Sequence, residues 1–133
     1  MGELTTYRPF IESCIESVGG ADPSAMFSRC IAGYAQCWAM LAVANGQTVP
    51  VAICITKLLD DAQQRRRVLF VDMMTGISGV EQGGWQYGNA VLERWAKMNG
   101  CTRSEMLIEN PVLLDRVSDM GYRRVGVLVA KEL

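Results

Sequence analysis

From Gly83 to the C-terminus the chain reads as one continuous α/β unit, and this alternation limits the fold more than any other feature. Val91, Leu92, Trp95, Ala96 and Met98 form an apolar stripe at helical spacing that stops at Gly100, after a glycine-rich link running from Thr75 to Gly84. Met106 to Ile108 reads as a short strand. Pro111 opens a second helix carrying Val112, Leu113, Val117 and Met120, which Gly121 ends, and Val125 to Val129 reads as a closing strand.

Upstream the periodicity differs. Phe10, Ile11, Cys14, Ile15 and Val18 share one helical face, stopped by Gly19-Gly20. Asp22-Pro23 supplies an N-cap and a proline at the first helical position, followed by Met26, Phe27, Cys30 and Ile31 before Gly33. Cys37 to Val43 is too short and too uniformly apolar for a surface helix. Asn45-Gly46 signals a hairpin into the β-branched run Val49 to Ile55. The polar stretch Asp60 to Arg67 should end that strand in a solvated hairpin loop, with Val68 to Met74 as the third strand. The expected architecture is therefore an α/β, mixed-sheet domain over residues 1–133: two helices, a three-strand antiparallel meander, then helix, strand, helix, strand.

Charge and composition exclude several classes of function. Thirteen basic against fourteen acidic residues give a net charge of −1, which offers no field for holding a nucleic acid. The longest apolar stretches are too short for a membrane-spanning helix, and the N-terminus lacks a basic region leading into an apolar run, so a cytoplasmic protein is expected. Five cysteines form no CxxC pair and read as reduced, mostly buried thiols; with no histidine in the chain, no metal site and no Ser-His or Cys-His nucleophile is expected. Eight methionines and three tryptophans leave room for an adaptable apolar surface. Trp38 and Trp95 are expected in the core and Trp85 on the surface.

From about residue 36 onward, this order of elements resembles the GCN5-related N-acetyltransferase (GNAT) family. Trp85, Ala96-Lys97-Met98-Asn99-Gly100-Cys101, Gly121-Tyr122 and Lys131 resemble more particularly the short GNAT-like proteins of bacteriophages. In the family, the helix after the meander binds the pyrophosphate of acetyl-CoA at its N-terminus, where unpaired backbone N–H groups attract anions. The family's loop has Arg or Gln, two residues, Gly, one residue, then Gly or Ala. One register places this pattern on Gly79, Gln82 and Gly84; another places it on Trp85, Gly88 and Ala90. The first departs from it at the leading and middle positions, Gly79 and Gln82, and the second at the leading position, Trp85. The family's first strand is short or missing here.

The resemblance implies cofactor contacts from Met74, Gln82, Gly83, Gly84, Gly88 and Asn110, and catalytic roles for Asp72 or Glu109 as base and Tyr122 as acid. Val117 stands where the family often has its acidic tyrosine, and Asn110 can equally be the N-cap before Pro111. Two functions follow. One is a non-catalytic structural or assembly component, such as an internal virion protein, that needs no cofactor and works through protein partners or self-association. The alternative is an active acetyl-CoA-dependent N-acetyltransferase acting on a small amine or a protein amine.

Overall fold

A computed structural model describes residues 7–18, 22–76, 82–108 and 111–133. Its elements are α1 (Arg8–Val18), α2 (Pro23–Ile31), β1 (Gln36–Ala44), β2 (Gln47–Asp61), β3 (Arg66–Gly76), α3 (Gln82–Met98), β4 (Cys101–Met106) and α4 (Pro111–Ser118). The four strands lie in the order β1-β2-β3-β4; β1 to β3 form the antiparallel meander and β4 joins β3 in parallel.

Local chemistry explains the turns. Ala44 pairs with Gln47, leaving a two-residue hairpin in which Asn45 (φ 51°) and Gly46 (φ 76°) both adopt the positive φ of a primed turn. Pro50, which has no N–H for a ladder, sits at the bulge where the pairing moves from Met40–Ala52 to Leu41–Pro50. At the next hairpin Asp61 accepts hydrogen bonds from the backbone N–H groups of Gln63 and Gln64, and the cross-strand partners Asp60 and Arg67 lie 2.9 Å apart. The arginine run thus closes the hairpin. Arg67 also donates to the Asn99 carbonyl, fastening the C-terminal end of α3 to the start of β3.

Both faces of the sheet are covered. Ile53, Ile55 and Met73 pack with Ile11, Ile15, Phe27 and Ala35 against α1 and α2. On the opposite face Leu69 packs with Ala96 and Cys101, flanked by Leu58, Leu92 and Trp95. Trp38 and Trp95 meet edge to face at 5.1 Å. Beneath them Thr56 is fully buried: its hydroxyl accepts from Trp38 Nε1 at 2.9 Å and donates to Gln36 Oε1 at 3.0 Å.

Three sequence expectations are corrected. The fourth strand is Cys101–Met106, not Met106 to Ile108, because backbone pairing with Arg67 to Val71 makes a strand of a polar run that has no apolar alternation. Gly83 and Gly84 belong to α3 rather than to a link before it, since the helix begins at Gln82. Val125 to Val129 form no strand; Val125, Val127 and Val129 are 66 to 85% exposed, without a ladder partner. Gly19-Gly20, Glu109 and Asn110 lie outside the described residues.

Replacing Thr56→Val keeps the volume but leaves the Trp38 N–H and the Gln36 carbonyl without this partner, and should cost about 1–3 kcal/mol in urea unfolding. Burial pushes the Cys37 and Cys54 thiols from 9.0 up to about 12. The folded state therefore holds these protons more tightly, and their contribution is fully present below pH 9.0 and lost as pH rises toward about 12. Unfolding midpoints measured across that window should fall.

Candidate functional site

The site begins where two strands stop matching in length. β4 pairs with β3 only as far as Met106 opposite Val71, yet β3 continues through Asp72 to Gly76, paired on its other edge with β2 up to Ala52 opposite Gly76. Among the described residues, the β3 backbone beyond Val71 has a strand partner on one side alone. Such an edge offers N–H and C=O groups to an extended ligand.

α3 starts at the same end. Gly83 and Gly84 lie in its first turn, where backbone N–H groups lack intrahelical acceptors and the helix dipole favours an anion. A side chain at Gly83 would meet nothing within 4 Å, so the backbone there faces open space.

Between α3 and the sheet lies a cavity of about 470 Å³. Met74, Met106, Met120 and Tyr122 line it near the strand divergence, Gly84, Trp85 and Gly88 along the helix, and Trp38, Met40 and Cys54 on β1 and β2. Among the described residues, no charged side chain lines it. Trp85 is half-buried here with the Arg116 guanidinium 5.9 Å above its ring, which corrects its expected place on the surface. Gly88 faces the sheet, where a Cβ would lie 3.2 Å from Met40 Cε.

Of the residues expected in the site, Met74, Gly84, Gly88 and Tyr122 line this cavity, Gly83 stands beside Gly84, and Gln82 is the first residue of α3. Tyr122 shares a 2.5 Å hydrogen bond with Ser104, and burial holds its hydroxyl above the ordinary 10.0, with proximity to Glu93 acting in the same direction. It keeps its proton at neutral pH. Asp72 is placed differently. It occupies the β3 bulge between Val71 and Met73, beside the last β3–β4 pair, and does not line the cavity. Its Oδ1 lies 3.3 Å from Lys57 Nζ, while its Oδ2 is buried with no hydrogen-bond partner among the described residues. Lys57 alternates with Ile55 along β2, so this pair lies on the face covered by α1 and α2. Sequence reasoning missed Met106, Met120, Met40 and Cys54, because separate elements bring them together and no local spacing announces them.

No family model matches the chain, and no curated protein does. Solved structures do. A probable acetyltransferase superposes with a TM-score of 0.75 at 14% identity, covering 100% of this chain and 92% of its own. The aminoglycoside N-acetyltransferase AAC(6')-Iy, in complex with the bisubstrate analogue CoA-S-monomethyl-acetylneamine, gives 0.75 at 15% identity over 96% of this chain and 92% of its own. A ribosomal-protein-alanine N-acetyltransferase from Brucella melitensis biovar Abortus 2308 gives 0.70 at 13%, over 98% and 94%. The chain has the GNAT acyltransferase fold.

Two glycine replacements separate the helix from its cap. Gly88→Ala gains about 1 kcal/mol of helix propensity, and the flexible Met40 end beside the cavity can yield a few tenths of an ångström, so thermal unfolding should show a gain of up to about 1 kcal/mol. Gly100→Ala, at φ +82°, should instead destabilise by about 1 kcal/mol.

Proposed function

We propose that this protein is an acetyl-CoA-dependent N-acetyltransferase acting on a primary amine. The observation that carries the proposal is the open cleft where the free edge of β3, the first turn of α3 and the Tyr122 hydroxyl come together. The residues fit the cofactor: the backbone around Gly83 and Gly84 would take the diphosphate, and the β3 edge from Asp72 to Gly76 would take the amide-bearing arm. Acetyl-CoA held there supplies the acetyl group as a thioester.

The remaining chemistry falls to this chain's side chains. The Asp72 Oδ2, without a partner among the described residues at the point where the strands part, would accept the proton of the incoming ammonium from the α1 and α2 side. Tyr122, protonated and in the cavity wall, would give its proton at the leaving sulfur. It would take the role that the buried Val117 cannot fill. Lys57, 3.3 Å from Asp72, would keep the carboxylate oriented.

A second reading, a non-catalytic structural or assembly protein such as a virion component, draws support from Val117 and from the exposed apolar residues Val125, Val127 and Val129 beside the open edge of β4. That surface suits self-association.

Acetyl-CoA at about 100 times its dissociation constant should stabilise the fold by about 2.7 kcal/mol. Free thiol should appear when an amine panel is added. Tyr122→Phe and Asp72→Asn should each lower kcat by about a hundredfold or more with the unfolding midpoint little changed. Activity should be lost as pH rises through the Tyr122 pKa, above 10.0, because the hydroxyl must carry its proton to donate it. No stabilisation and no turnover from a folded protein would leave the non-catalytic reading standing.

A further inference from the structure

Resting on the thioester site proposed above, we infer that the cavity beneath α3 receives an acyl chain longer than acetyl, of medium length, as part of the thioester donor. An apolar cavity of about 150 Å³ already accepts a six-carbon ring. The cavity here is about 470 Å³. Its extent matters more than its volume. The thioester end of the donor belongs at the divergence of β3 and β4, near Met74 and Tyr122, whereas the far wall is made by Trp38, Met40 and Leu41 on β1. β1 is two strands away from β3, a distance of about 10 Å across the sheet. A two-carbon acyl group cannot reach that wall, but a chain of about eight carbons can.

The walls have matching chemistry. Among the described residues no charged side chain faces inward, and the deep end at Trp38, Met40 and Leu41 is apolar, so it removes methylenes from water. Met40, Met74, Met106 and Met120 can adjust their rotamers around a flexible chain. Gly88 serves the same end, since a longer side chain there would press on Met40 and narrow the space under the helix.

The test is calorimetric titration of the full chain with CoA, acetyl-CoA and octanoyl-CoA. Each methylene taken out of water tightens binding by up to about fourfold, so octanoyl-CoA should bind about tenfold tighter than acetyl-CoA, or better. Ala52→Leu, on the cavity wall, and Leu41→Trp, half-exposed at the far end, should erase that advantage while acetyl-CoA binding persists. Equal affinity of the wild-type chain for octanoyl-CoA and acetyl-CoA, with both binding, overturns the inference and leaves the thioester site intact. So does an octanoyl advantage that survives both fillings. Failure of all three ligands to bind overturns the thioester site and this inference with it.

Discussion

The structure depends on one mismatch of length: β3 continues for five residues past the point where its parallel neighbour ends. β2 stays paired with β3 on its other edge as far as Gly76, with one bulge at Asp72, so β3 keeps to β2 where β4 leaves it. β4 is six residues long, and its pairing stops at Met106. The edge left over carries polar backbone groups that need partners, from water or from a ligand with amide groups of its own. Because α3 follows β3 in the chain and returns to begin β4, the helix start necessarily lies at the same end of the sheet as the free edge. The first turn of α3 and the free strand edge become neighbours through connectivity alone.

The two sheet faces then divide the chemistry. The α3 face is mostly apolar and, among the described residues, presents Tyr122 at the divergence, held protonated by burial. The α1 and α2 face presents Asp72, ion-paired to Lys57, with one oxygen lacking a partner among the described residues. A donor on one face and an acceptor on the other would meet at the strand gap. The bulge aims Asp72 to that side, because the extra β3 residue between Val71 and Met73 has no β2 partner.

Much of this was legible in the sequence where backbone chemistry is local. Asn45-Gly46 marked the hairpin, Asp22-Pro23 marked the start of α2, and Gly33, Gly100 and Gly121 marked helix ends that do need positive φ. Of the cavity wall, Met74, Gly84, Gly88 and Tyr122 were named in advance. The errors came where tertiary partners outweigh local pattern. Cys101 to Met106 is polar, with an Arg103–Glu105 ion pair along it, and is a strand only because β3 offers it a ladder. The alternating valines from Val125 to Val129 look like a strand but pair with none among the described residues. Glycines at 83 and 84 read as a link because their intrinsic propensity opposes helix, yet the first turn tolerates them. The cavity itself had no sequence signature, being assembled from side chains on all four strands, α3 and the segment after α4.

Backbone amide shifts on adding CoA test the central claim most directly, since they report where a ligand touches the main chain. The amides of Met73, Met74 and Thr75 on the free edge, with those of Gly83, Gly84 and Trp85 in the first turn of α3, should move together and saturate with a single affinity. Saturating CoA that leaves both groups unmoved, or that shifts amides only elsewhere on the chain, would contradict the account.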